Sequence, residues 1–276
     1  GGGPVATALV TLSRLGADCV FFGIVGDDQE GAKIRKSLAD EGINVRGLLT
    51  REKSASQTAF IAIEKTSGKR TIFWKRPSGK ELAPDELTDG FLHGAGFLLL
   101  DGLMKKVSLH AALLAKQMHV PVMLDAGRLR DGMIDIAQLS DYVVASEEFA
   151  RELGFDGDAE KFREVLRKDG LGLTTVTLGE RGSITFIGNE IITVPAFDVQ
   201  AVDTTGAGDV FHGGYIYGIM KGWDIAAAVR FASAVAALKC LKVGGRAGIP
   251  NLAQVCRFME EKGRCHPDLK PGPVVD

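Results

Sequence analysis

Between residues 97 and 261, short apolar runs alternate with amphipathic stretches, and this alternation restricts the fold more than any other feature. "FLLLD" (97–101), "VPVMLD" (120–125), "DYVVA" (141–145) and "TTVTLG" (174–179) read as strands, separated by helical patterns over 105–118, 146–154 and 158–168. A hairpin over 183–196 follows, then helical segments at 207–220, 224–240 and 250–261. The front of the chain has the same grammar: a helix closed by Gly16 (6–16), an apolar run expected to be a buried strand (19–26), a helix ending at Gly42 (30–42) and the short strand "NVRGLLT". Such alternation argues for an α/β fold around a mostly parallel sheet covered on both faces. The exception is "QTAFIAIEKTSGKRTIFWKR" (57–76), two alternating runs around "TSGK" that predict a hairpin serving as a flap or lid.

Open sheets of this type bind ligands beyond the carboxyl ends of their strands. Asp101, Asp125, Ser146, Gly179 and Asp203 each follow a predicted strand, so one edge of the sheet is expected to carry the polar chemistry. With 45% hydrophobic residues and a net charge of −2, the chain has no basic surplus that would mark DNA or RNA as a partner. Its apolar runs are too short to span a bilayer, and its opening residues do not read as a signal peptide. Cys19, Cys240, Cys256 and Cys265 form no Cys-x-x-Cys pair, and Cys265-His266 near Cys256 is a poor zinc set, so reduced thiols in a cytoplasmic protein are expected. The last stretch, "PDLKPGPVVD", looks like a loose tail. The chain opens on glycines that run directly into a helical pattern, and a strand upstream of Gly1 is expected.

The stretch that points to chemistry is "AVDTTGAGDVFHGG" (201–214), read as a strand end, a glycine turn and a helix start. Unpaired first-turn amides and the helix dipole form an anion site. Gly206 and Gly208 have no Cβ to keep a phosphate away. Asp209 would repel a static phosphate, but it suits a phosphate that moves while a proton is taken up. This is a layout for phosphoryl transfer to an alcohol, with the Gly206, Ala207 and Gly208 amides as anion hole and Asp209 as base. An acidic turn that merely caps its helix is the plain alternative. Two rival nucleotide signatures fail. "GDDQEGAK" (26–33) has Ala32 where a Walker lysine belongs, and "GGGPVA" (1–6) has no strand before it.

With these motifs, the chain resembles the PfkB/ribokinase family of carbohydrate kinases along nearly its whole length. The resemblance rests on "GGGPVATALVTLSRLG", "FFGIVGDDQEG", "SQTAFIAIEKTSGKRTI", "TLGERG" and above all "DTTGAGDVFHGG". It is strongest toward the sulfofructose kinase-like branch in "GGGPVAT", "DVFHGG" and "VRFASAVAALKCLKVGGRAGIP", and weaker toward ketohexokinase in "SEEFARELGF". The resemblance implies a single ribokinase-like domain over 1–276. It would be a three-layer α/β/α sandwich with a small β-sheet lid within 45–76. ATP with Mg2+ would be the donor and a sugar hydroxyl the acceptor.

Carried over residue by residue, Asp209 matches the catalytic base, and Gly206, Ala207 and Gly208 match the anion hole. Gly2 and Gly3 match a glycine pair that holds sugar hydroxyls. Thr177, Gly179, Gly182 and Gly245 fall where the nucleotide lies, and Asp203 falls where some members hold a monovalent cation such as K+. Two positions depart from the pattern: Thr7 stands for a signature asparagine, and "SEEF" places Ser146 and Phe149 where an Asn-x-x-Glu motif would organise Mg2+. Glu147 or Glu148 could substitute, or face solvent.

Several single residues stay open. Asp101 and Asp125 either line the sugar pocket or are a helix cap or a solvated strand end. Arg128 and Arg246 either meet an anionic substituent or lie on the surface. His212 packs near the site, and Trp74 covers substrate or joins the core. The acceptor is a ketose, sulfofructose or ribose, and a homodimer could form through the lid. A non-catalytic sugar- or nucleotide-binding protein on a kinase scaffold, and a nucleoside kinase, are the competing classes.

Overall fold

The computed structural model describes residues 2–64, 70–87 and 90–263. In chain order come α1 (Pro4–Arg14), β1 (Val20–Gly26), α2 (Gln29–Ala39), β2 (Asn44–Arg51), β3 (Thr58–Ile63) and β4 (Arg70–Lys75). Next are β5 (Leu98–Leu100), α3 (Lys105–Gln117), β6 (Val122–Ala126), α4 (Met133–Gln138), β7 (Tyr142–Ser146), α5 (Glu147–Glu152), α6 (Ala159–Lys168), β8 (Leu173–Thr177), β9 (Ser183–Ile187) and β10 (Glu190–Val194). The order closes with α7 (Ala207–Met220), α8 (Ile225–Cys240) and α9 (Leu252–Glu261). The chain divides into two compact units, one drawn from Gly1–Ser78 and Phe197–Asp276, the other from Gly79–Ala196.

The second unit holds a six-stranded sheet in the order β10-β9-β8-β7-β6-β5. Strands β5 to β8 are parallel, and β9 and β10 fold back antiparallel as the predicted hairpin. Its core gathers Leu124, Val143, Val176 and Phe186 from the strands with Phe149 and Phe162 from α5 and α6. Buried Thr175 and Thr185 face each other in register and share a hydroxyl bond of 2.9 Å, which satisfies both in the core. Gly182 makes the hairpin possible. Its φ is +91°, and a Cβ there would lie 2.1 Å from the Val194 carbonyl oxygen. Helix α4 is not legible in the sequence, because six residues are too few to show a helical period.

In the first unit, β1 and β2 pair in parallel, and β3 and β4 form a separate antiparallel pair. Thus β2, although inside the 45–76 range expected for the lid, belongs with β1, and the small sheet comprises 58–63 and 70–75. Its "TSGK" turn lies outside the described residues, as does "PDLKPGPVVD". Phe60 and Phe73 are 71% and 59% exposed, and Trp74 is exposed with the Arg76 guanidinium over its ring, so Trp74 is not a core residue. Strand β1 is less buried than its continuous apolar run predicts. Val20 is exposed and Phe21 and Phe22 are half-buried, because among the described residues β1 bonds to β2 alone.

Helix α7 is buried from Val210 to Gly218 between α1 and α8. Its glycines set the approach: a Cβ on Gly213 would lie 2.7 Å from the Ala8 carbonyl oxygen, and one on Gly214 would lie 2.9 Å from the Ala232 Cα. The "GDDQEG" loop is likewise a backbone-packing device. Asp28 caps α2 through the Gly31 amide at 2.8 Å and also accepts from the Ser56 amide and hydroxyl. Asp27 accepts from the Lys53 and Ser54 amides. A Cβ on Gly31 would lie 2.1 Å from the Gly26 carbonyl oxygen. The two carboxylates and the Gly31 amide are thus engaged in the loop's own packing.

Candidate active site

Helix α7 begins at a left-handed Gly206, with φ +77°. A side chain in that conformation is strained, and a Cβ there would lie 3.0 Å from the Gly245 carbonyl oxygen and 3.6 Å from the Thr7 methyl. Gly206, Gly245 and Thr7 therefore converge. Thr7 is one turn into α1, whose cap is Gly3 (φ +101°), and the Thr7 amide bonds the Gly3 carbonyl at 3.0 Å. This places the exposed pair Gly2 and Gly3 about one helical turn, about 5.4 Å, along α1 from that convergence.

Of the three amides predicted as anion hole, that of Ala207 donates to the Thr204 carbonyl at 3.2 Å. The Gly206 and Gly208 amides bond no backbone carbonyl among the described residues. Gly208 is exposed, and a Cβ there would meet nothing within 4 Å. Packing gives no reason for a glycine at that position. Asp209 is half-buried in the first turn, at the positive end of the helix dipole. His212 turns back along α7, its Nδ1 2.6 Å from the Gly208 carbonyl oxygen, which fits a packing residue near the site.

Asp203 was expected at a strand end, but it lies in an irregular loop between β10 and α7. Hydrogen bonds hold it there, not a sheet. Its amide donates to the Cys240 carbonyl at 3.2 Å, its Oδ1 accepts from the Thr205 amide at 2.8 Å, and its Oδ2 accepts from the Gly244 amide at 2.7 Å. Its carbonyl oxygen accepts from the Lys239 Nζ at 2.7 Å. Burial pushes the Asp203 carboxyl up, but the Thr205 side chain and amide, the Gly244 amide and the Lys239 ammonium outweigh it and hold the group below the usual carboxylate range. Lys239 is absent from the sequence-derived site. The available signal was a lone lysine near the end of the otherwise apolar "ASAVAALKC".

Arg246 is half-buried, with Nη1 3.4 Å from the Ser37 hydroxyl. Burial, with Arg14 alongside, pulls its guanidinium below the ordinary arginine value against the attraction of Glu41 and Asp209. It therefore sits in the electrostatic field of Asp209 and not on the open surface. Arg14, which the sequence did not single out, grips Glu41 through a two-pronged pair at 2.6 and 2.9 Å and binds the Arg246 and Ile249 carbonyls. It ties the 246–249 loop to α1.

The other candidates belong to the second unit. Asp101 follows β5 and accepts from the Leu103 amide at 3.1 Å, a local turn bond. Asp125 lies inside β6, opposite Val144, and not after the strand. Thr177 ends β8 and donates to the Ala145 carbonyl, and Gly179 follows it, exposed and left-handed at φ +61°. Gly182 is buried under the hairpin backbone, so its place has a packing cause. Ser146 caps α5, accepting from the Phe149 amide and donating to the Gly127 carbonyl. Phe149 is in the core, 1% exposed. Glu147 bridges Arg151 and Arg181, and Glu148 pairs with the exposed Arg128. No group of three or more His, Cys, Asp or Glu side chains able to hold a metal exists among the described residues. Cys19, Cys240 and Cys256 are buried, and burial, with Asp18 nearby, pushes Cys19 up to about 12. Cys265 and His266 lie outside the described residues.

The chain has a ribokinase-like α/β fold with a small antiparallel lid sheet. It superposes on the crystal structure of ribokinase from Thermotoga maritima with a TM-score of 0.82 at 28% identity, covering 94% of this chain and 87% of the other. It matches fructokinase from Vibrio cholerae O395, in its fructose-, ADP- and calcium-bound form, with a TM-score of 0.80 at 25% identity, covering 93% and 90%. Ribokinase from Haemophilus influenzae is 28% identical over 270 residues, covering 94% of this chain and 87% of the relative. The model of the pfkB family of carbohydrate kinases matches residues 1–252, and the chain belongs to that family. It is a sugar kinase of the pfkB type. No helix among the described residues is long and apolar enough to cross a membrane.

Proposed function

We propose that this chain transfers the γ-phosphoryl group of ATP to a hydroxyl of a small sugar, with Asp209 as general base. The observation that carries this reading is the start of α7. There a left-handed Gly206 and an exposed Gly208 present backbone to an incoming anion, and Asp209 stands one residue further on. The sugar oxygen bonds to phosphorus as the bond from phosphorus to the ADP oxygen breaks, and the hydroxyl proton passes to the Asp209 carboxylate. The Gly206 and Gly208 amides hold the charge on the transferring group, with a lesser share from Ala207, whose amide also serves Thr204. A loose transition state makes such positioning and charge stabilisation matter more than a strong base.

Gly2 and Gly3, at the cap of α1, hold sugar hydroxyls. Arg246 orients or screens the acceptor from within the field of Asp209, and Asp101 is a further sugar contact. Within the second unit Thr177 and Gly179 are nucleotide contacts, and Gly182 shapes the turn that presents Gly179; within the first unit Gly245, beside Gly206, is a nucleotide contact. Ser146 and the core residue Phe149 do not fit a magnesium-binding pair, and Glu147 and Glu148 are committed to arginines. Mg2+ would come with the nucleotide phosphates and neutralise part of their charge. A ketose, sulfofructose or ribose is the acceptor class, the exposed Phe60 and Phe73 of the lid suit pairing with a second copy, and the setting is cytoplasmic.

The test is ADP release from Mg-ATP with fructose, sulfofructose, ribose, phosphorylated ketoses, ketodeoxygluconate and adenosine, alongside Asp209→Asn. Turnover on one sugar that collapses in the variant supports the assignment. Preference for adenosine moves it to a nucleoside kinase. ATP or sugar binding without turnover moves it to a binding protein.

A further inference from the structure

We propose that the Lys239 ammonium is a built-in monovalent cation: it occupies the place at Asp203 that the family resemblance gives to K+, and it holds the loop that starts α7 without an external ion. Lys239 and Asp203 are both 0% exposed. An ammonium removed from water needs oxygen acceptors and a countercharge, or its burial is prohibitive. Here the Asp203 carbonyl oxygen meets Nζ at 2.7 Å, and the Asp203 carboxylate supplies the charge.

The potassium expectation does not fit this arrangement. A cation at Asp203 needs oxygens with free lone pairs converging on one point. Each Asp203 carboxylate oxygen accepts one backbone amide, at 2.8 Å from Thr205 and 2.7 Å from Gly244, and keeps a further lone pair, but the Asp203 carbonyl oxygen is already taken by the ammonium at 2.7 Å. A second cation would also place two like charges beside one buried carboxylate, in a medium that screens them poorly.

Lys239 is also the mechanical centre of this corner. A Cβ on Gly248 would lie 2.3 Å from the Lys239 carbonyl oxygen, so the 241–250 loop seats directly on that helical turn. The same loop supplies the Gly244 amide to Asp203 and brings the Gly245 carbonyl beside Gly206. The chain of contacts runs from Lys239 through Asp203 and Thr205 to the first turn of α7. Lys239 is thus a positioning residue, acting through the backbone that presents Gly206 and Gly208.

The effect on turnover rests on the kinase reading, but the cation claim does not. The experiment melts the ligand-free protein in potassium, sodium or choline chloride at one ionic strength, and measures ADP release in the same salts. Wild type should melt at one temperature in all three and turn over equally with or without K+. Lys239→Ala should melt roughly 10 °C lower, as expected for an unpaired buried carboxylate, and should regain stability and turnover with K+ or methylammonium. A folded Lys239→Ala protein indifferent to both ions would overturn the proposal, as would a wild type that K+ stabilises and choline does not. Should Lys239→Ala not fold, Lys239→Met keeps the hydrocarbon volume without the charge, and wild-type stability in that variant would also refute the assignment. Wild-type protein inactive on every sugar tells against the kinase reading alone and leaves the melting comparison decisive for the cation.

Discussion

Replacing Gly208 by alanine separates a glycine needed for folding from one needed for a ligand. Gly208 is the second residue of α7, its φ lies outside the left-handed region, and a Cβ there meets nothing within 4 Å. Alanine is favoured over glycine in a helix by about 1 kcal/mol, so the variant should be as stable as wild type or more so. With the chain this long, that gain raises the melting temperature by about 2–4 °C at most. The added methyl, however, tilts toward the helix N-terminus, into the space where a phosphoryl group would approach the Gly206 and Gly208 amides. Keeping the transferring group away from even one of those donors should lower kcat/KM by about 100-fold. Calorimetry together with ADP release under Mg-ATP measures both quantities on one preparation. Undiminished kcat/KM would refute a phosphate at this backbone, and a marked fall in melting temperature would refute the open space assigned to it.

Asp209→Asn should lower kcat by about 10²–10⁴-fold without loss of stability, since Asp209 is replaced by a near-isostere in a half-buried first turn; kinetics paired with thermal melting checks this. Gly182→Ala should destabilise by at least about 2 kcal/mol, because φ is +91° and the new Cβ would lie 2.1 Å from the Val194 carbonyl oxygen; urea unfolding reads it. Asp27, held low chiefly by the Lys53 and Ser54 amides, and Asp28, held low chiefly by the Ser56 hydroxyl and amide, have folded pKa values below their unfolded ones. Their stabilisation is complete above the unfolded carboxylate value of about 3.9 and is lost as pH falls below it. Acid melts should therefore show Asp27→Asn converging with wild type toward low pH and separating from it near neutrality. Phe60→Ser with Phe73→Ser should leave the melting temperature nearly unchanged, since both rings are mostly exposed, and should abolish any dimer seen by sedimentation.

The amino-acid sequence by itself determined the order of elements and the chemistry at the start of α7. Strand and helix periods made β5 to β10 and the flanking helices other than α4 legible, and the spacing in "DTTGAGDVF" identified a glycine turn followed by a carboxylate in a first helical turn. Those signals are local: a period of two or 3.6, a left-handed glycine and a cap each depend on a few neighbouring residues. What the tertiary structure decided depends on residues far apart in the chain. The period could not show that β1 is half-exposed, that β2 pairs with β1 and not with the lid, or that Asp203 sits in a loop held by Cys240 and Gly244. Nor could it show that Lys239, near the end of a mostly apolar helix, spends its charge on the Asp203 carbonyl 36 positions earlier. Burial turns such a residue from a surface lysine into a structural ion, and only the packed chain sets burial.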